Sequence, residues 1–95
     1  MDLLLAYDVA TATVAGQRRL RRVAKVCEGF GVRVQKSVFE LVLDPHELPL
    51  LLDRLRHTIK VDEDNVRIYR LDARRPVARL GIEPALSTTR GPLII

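Results

Sequence analysis

Two apolar stripes with helical spacing divide this chain and limit the folds open to it. Leu20, Val23, Ala24 and Cys27 fall at i, i+3, i+4 and i+7, and Leu48, Leu51, Leu52, Leu55 and Ile59 repeat the pattern further on. Each stripe predicts a helix with one face to bury. Around them lie apolar runs of strand length. Leu3, Leu4, Leu5, Ala6, Tyr7 and Val9 show no period of two, which predicts a central strand buried on both faces and ending at Asp8. The stretch from Val32 to Leu43 switches its apolar phase near Lys36-Ser37, from Val32, Val34 and Val38 to Phe39, Leu41 and Leu43. A bulge or a doubly buried strand would also give that switch, but two short strands joined at a tight turn fit it best. Val66 to Leu71 alternates and predicts a further strand.

Local signals punctuate these elements. Thr11-Ala12-Thr13 offers N-cap hydroxyls to a first helix over Val14–Glu28, and Gly29 closes it. Gly16 in the first turn weakens that start and predicts an onset one or two residues later. Asp44-Pro45-His46-Glu47 combines an acidic cap, a proline at the first position and a glutamate three after the cap. Pro49 then predicts a first turn that is kinked or separate. The order is strand, helix, strand, strand, helix, strand, an α+β arrangement of the split β-α-β, ferredoxin-like kind. Val77, Leu80 and Ile82 point to an additional C-terminal strand before Pro84, so residues 1–84 read as one domain and 85–95 as a tail.

At 95 residues the chain has room for one small core, and dimerisation is a natural way to enlarge it. The longest apolar run, Leu3 to Tyr7, is far too short to cross a membrane and lacks the basic leader and cleavage site of a signal peptide. One cysteine, Cys27, excludes an internal disulfide and a cysteine-rich zinc site. The expected compartment is the cytoplasm.

Charge is blocked along the chain. Residues 15–39 carry seven basic side chains against Glu28 alone, residues 44–64 are net acidic, and residues 66–79 carry five arginines against Asp72. Thirteen of the sixteen basic residues are arginines, whose planar fork matches phosphate oxygens. A polarised basic surface points to a polyanion such as nucleic acid. Arg18, Arg19, Arg22 and Arg33 are the candidate phosphate contacts, against the plainer alternative of surface ion pairs. Phe39 is a candidate to pack on a base or sugar, or else a core residue.

Other chemistry is sparse. No glycine-rich phosphate loop is present, and His46 and His57 stand eleven residues apart, too far to share one ion. Ser37 has no histidine near it in sequence. Asp8 is the exception, a carboxylate ending an apolar strand. Either it caps the following turn by accepting N–H groups near Ala10 and Thr11, or it is a hard-metal ligand, with a two-fold dimer supplying a second copy.

The segments LLLAYDV, RRLRRVAKVCEGFG, RVQKSVFELVL and VRIYRL, in this order and spacing, resemble the second family of CRISPR-associated proteins over residues 2–82. That is the small nuclease-like subunit of the spacer-acquisition machinery. The resemblance implies a ferredoxin-like homodimer packed through its sheets, with a late strand near Val77–Ile82 crossing to the partner. It implies that Asp8 from both subunits holds Mg²⁺ or Mn²⁺ for an endonuclease acting on single-stranded RNA or duplex DNA, with Tyr7, Ser37 and Phe39 in supporting places. It also implies a CRISPR integrase subunit as partner, and a non-catalytic bridge between integrase dimers as the alternative role. The chain departs from the family pattern at Val9-Ala10-Thr11-Ala12-Thr13, which replaces a charged loop, so no second carboxylate follows Asp8 there. A third reading, a module of the same fold that binds a small regulator, leaves the basic blocks without a role.

Overall fold

The computed structural model describes residues 1–71 together with Ala78, Leu80 and Gly81. Its elements are β1 (Asp2–Asp8), α1 (Val14–Glu28), β2 (Gly31–Gln35), β3 (Val38–Val42), α2 (Glu47–Thr58) and β4 (Asn65–Arg70). The strands form one antiparallel sheet in the order β2-β3-β1-β4. The strand expected near Val77–Ile82 and the tail 85–95 lie outside the described residues, apart from Ala78, Leu80 and Gly81, which carry no strand pairing.

Both helical stripes turn onto one face of the sheet. Val23, Cys27, Leu51 and Leu55 meet Leu3, Leu5, Tyr7, Phe39 and Leu41 in a single core. Burial pushes the Cys27 thiol up to about 12, although Arg33 pulls the other way, so it is an inert apolar filler. The central place of β1 is as read from the sequence, but its double burial is not. Leu3, Leu5 and Tyr7 are buried, whereas Leu4 and Ala6 are only half covered. The helices cap one face alone, and among the described residues nothing covers the other. That open face also carries Val38, Val42 and Tyr69, the last two about half exposed. An apolar run in β1 thus does not by itself mean that both faces are covered: on the open face Glu40 and Arg67 stand beside Leu4 and Ala6.

The helix starts are set by their caps. Thr13 is the N-cap of α1, its hydroxyl accepting from the Gly16 N–H at 3.0 Å. The helix begins at Val14 and not later, because Gly16 is there for closeness: a Cβ at this position would stand 2.0 Å from the Ala10 carbonyl oxygen. Gly16→Ala gains about 1 kcal/mol of helix propensity but forces backbone apart. The expected net effect is a destabilisation of about 1–3 kcal/mol, read as a lower urea midpoint. Gly29 closes α1 in ordinary right-handed conformation, its N–H reaching the Val26 carbonyl at 3.1 Å.

The phase switch at Lys36-Ser37 is a tight turn between β2 and β3, and a bulge between Arg33 and Gln35 completes the change of face. Before α2, the Asp44 carboxylate accepts from the His46 and Glu47 N–H groups, and the Glu47 carboxylate accepts from the Asp44 N–H at 2.9 Å. This reciprocal pair forms a separate turn, so regular helix starts only at Glu47. Pro49 then falls in the first turn, where an N–H needs no helical partner.

Candidate active site and nucleic-acid interface

Asp8 is the last residue of β1 and is exposed; none of the described residues donates a hydrogen bond to its carboxylate. It stands at a groove of about 570 Å³ whose polar lining includes Tyr7, Asp8, Arg21, Arg33, Lys36 and Ser37, with Thr11 of the following loop. Three separate elements bring these together: the end of β1, the middle of α1, and β2 with its turn. The turn is fastened to β1 by backbone as well as side chain. The Tyr7 N–H donates to the Ser37 carbonyl and the Tyr7 hydroxyl to the Lys36 carbonyl, both at 3.1 Å. Burial raises the Tyr7 hydroxyl pKa, with Arg33 opposing, so the phenol stays protonated and donates.

Arg33 is positioned from below. Its guanidinium lies 5.3 Å from the centre of the Phe39 ring, and one nitrogen stands 3.5 Å from a Glu28 carboxylate oxygen. Its Nε is buried with no hydrogen-bond partner among the described residues. Phe39 is fully buried and stacks on Tyr7 with centroids 6.2 Å apart. This corrects the reading of Phe39 as a base or sugar contact. Its ring is the floor under Arg33 and Tyr7.

The other arginines divide. Arg18 and Arg22 line a second groove of about 440 Å³ between α1 and α2, with Arg21, Lys25 and Thr58. Together with the Asp8 groove they make α1 a basic ridge. Arg19 points elsewhere: its Nε donates to Asp64 Oδ2 at 2.8 Å and its NH2 group reaches Glu63 at 3.3 Å. The hydrogen bond it donates to Asp64 raises its pKa further, and its side chain is 13% exposed. Arg19 is thus an internal tie, which removes it from the phosphate contacts expected of it.

Asp64 is the residue that the sequence reading passed over. It is the one buried charged side chain among the described residues, and its Oδ1 accepts from the Ala10 N–H at 3.0 Å. The turn after Asp8 is therefore capped by Asp64 and not by Asp8 itself. Arg21 and Lys36 were also unassigned. Arg21 could have been found from helical phase, since it follows Leu20 and precedes Ala24 by three, on the flank of the buried stripe.

A metal fits this groove only in part within one chain. Asp8 offers a hard oxygen donor, accessible and without a partner among the described residues, and divalent ions of the Mg²⁺ type are held by one or two carboxylates and several waters. Among the described residues no cluster of three His, Cys, Asp or Glu side chains gathers to form a site.

A four-stranded antiparallel sheet in ferredoxin-like order, with an accessible carboxylate among cations at one strand end, defines a small α+β domain. The chain belongs to the family of CRISPR associated protein Cas2, which it matches over residues 1–76. It is 44% identical over 97 residues to the CRISPR-associated endoribonuclease Cas2 of Nitratidesulfovibrio vulgaris, covering all of this chain and 94% of that one. It is 41% identical over 96 residues to the CRISPR-associated endonuclease Cas2 of Halalkalibacterium halodurans, covering 99% of each. The crystal structure of Streptococcus pyogenes Cas2 at pH 6.5 superposes with a TM-score of 0.76 at 44% identity, over 85% of this chain and all of that one. The resemblance read from the sequence is thereby established. No helix among the described residues is long and apolar enough to cross a membrane.

Proposed function

We propose that this chain is a divalent-metal-dependent endonuclease of the spacer-acquisition stage, acting in the cytoplasm as a homodimer on single-stranded RNA or duplex DNA. The observation that carries the reading is Asp8, a strand-end carboxylate with no partner among the described residues, at the edge of a groove lined by Arg21, Arg33 and Lys36. Carboxylates so placed are repelled by phosphate and have no use in binding alone. Asp8 shares its face of β1 with Leu4 and Ala6, the half-covered apolar face of the sheet. A second copy packed there would bury that surface and bring a second Asp8 toward the first.

Arg21, Arg33 and Lys36 would grip the phosphates on either side of the reacting one, and the ridge of Arg18, Arg22 and Lys25 would carry the strand onward. The Glu28 contact and the Phe39 ring hold the Arg33 fork in place. The paired Asp8 carboxylates would hold Mg²⁺ or Mn²⁺, which supplies Lewis-acid polarisation of a phosphate oxygen and a water of lowered pKa. The same ridge suits the proposed CRISPR integrase complex, in which duplex DNA runs beside this subunit.

The deciding experiment compares wild type with Asp8→Ala on labelled single-stranded RNA and duplex DNA, with Mg²⁺ or Mn²⁺. Metal-dependent cutting that disappears in the variant is the expected result. Equal cutting by both proteins, or none by either alongside salt-sensitive duplex binding, would sink the catalytic reading and leave the bridging role.

A further inference from the structure

Four hydrogen bonds converge on one buried carboxylate beside the proposed catalytic strand end. Asp64 Oδ1 accepts from the Ala10 N–H at 3.0 Å and from an Arg19 NH2 group at 3.4 Å. Its Oδ2 accepts from Arg19 Nε at 2.8 Å and from the Lys60 N–H at 2.9 Å. The side chain itself has no exposed surface. Asp64 thus joins the loop after β1, the middle of α1 and the end of α2. Its neighbour Asn65 pairs with Asp8 across the β1–β4 ladder, so Asp64 holds the loop two residues beyond Asp8 while β4 holds Asp8 itself.

The loop has two more grips. Val9 is buried in the core, and the Ala10 carbonyl packs against Gly16. Ala10 is therefore fixed through both its N–H and its C=O, while Thr11 and Ala12 are exposed. A fastening of this kind is more than a loop of Val9-Ala10-Thr11-Ala12-Thr13 needs merely to connect a strand to a helix. What it fixes is the backbone that aims Asp8.

We propose that Asp64 is a positioning residue for Asp8: through the Ala10 N–H and Arg19 it locks the strand exit, setting where the Asp8 carboxylate meets metal and phosphate. The proposal rests on the catalytic reading of Asp8. Misplacement of a reacting group by about 1 Å can lower a rate by about 10²-fold. Substrate grip, which belongs to Arg21, Arg33 and Lys36, is untouched by the same shift.

The test begins with wild type. Amide hydrogen exchange should show Ala10 protected well above Thr11 and Ala12; an Ala10 amide that exchanges as freely as theirs overturns the clamp without any variant. Asp64→Asn, which keeps one acceptor oxygen, and Asp64→Ala, which keeps none, are then assayed at a temperature where each is folded. The expected pattern is a kcat reduced about tenfold in the first and about a hundredfold in the second, with KM within about twofold. In a double-mutant cycle Asp64→Asn should add nothing to Asp8→Ala, because a misaimed group already absent cannot be lost again. Unchanged kcat, a loss confined to KM, or additive losses would each refute the proposal. Should Asp8→Ala cut as well as wild type, the catalytic reading fails by itself. The clamp is then judged by exchange at Asp8, Val9 and Ala10 in Asp64→Asn, where acceleration supports it and an unchanged pattern ends it.

Discussion

Alanine at Phe39 is expected to lower folding stability by about 3–5 kcal/mol, a large share of the total of about 5–15 kcal/mol typical of a domain. The ring is fully buried on β3, opposite Leu5 of β1, and Tyr7 stacks on it from the same side. Its removal leaves a cavity at the centre of the sheet and takes away the surface on which the Arg33 guanidinium rests. Loss of nucleic-acid binding in this variant would follow from that collapse. Phe39→Leu separates the two effects: volume is largely kept, at a penalty below about 1.5 kcal/mol, while the cation–ring contact is gone. Urea melts of the three proteins check this directly. A ring that served only to stack on bases would leave all three midpoints alike.

Arg19→Ala should weaken the fold in a pH-dependent manner. Burial pushes the Asp64 carboxyl up, but the hydrogen bond from Arg19 and the Lys60 and Ala10 N–H groups outweigh it and hold the carboxyl below its usual range. A carboxyl lowered on folding stabilises the native state above its unfolded pKa of about 3.9, and that contribution fades as pH falls through the lowered folded value. Without Arg19, only the Lys60 and Ala10 N–H groups oppose burial, and the folded carboxyl binds its proton more readily than in wild type. The variant should therefore melt about 5–10 °C below wild type near neutrality. The gap should narrow below about pH 4, as pH falls through the lowered folded value and the wild-type Asp64 takes up its proton as well. Glu63 and Lys60 face the same guanidinium and each other, but both are exposed and contribute little to the difference. Thermal melts between pH 3 and 7 measure it; a gap independent of pH would mean that Arg19 acts through packing alone.

The helices and their caps were legible because each depends on residues close in sequence. Thr13 finds Gly16, and Asp44 finds Glu47, across a single turn. Asp8 stood out as one charge ending an apolar run. Asp64 did not, since it sits in the run Asp62-Glu63-Asp64 and only the fold decides which of the three turns inward. Its partner Arg19 lies 45 residues away, inside the equally uniform Arg18-Arg19-Leu20-Arg21-Arg22. There, helical phase assigns one arginine to an internal tie and its neighbours to two grooves. The open face of β1 was misjudged for a related reason: an apolar run records that water is excluded, not which molecule excludes it.

The sheet order carries a consequence for synthesis. β1 is made before the other described strands, yet it occupies the middle of the sheet, and one of its two flanks is β4, the last described strand: Leu3 pairs with Arg70 and Asp8 with Asn65. Until β4 leaves the ribosome, the strand bearing Asp8 has an unsatisfied backbone edge, a template for pairing with other nascent chains. Strand closure over such a span is slow compared with helix formation. The nascent chain therefore cannot assemble its proposed cutting groove early. Asp8, Asp64 and Arg19 meet only once translation has passed Asp64, so a chain stalled before β4 carries the arginines of the proposed nucleic-acid surface without an aimed carboxylate.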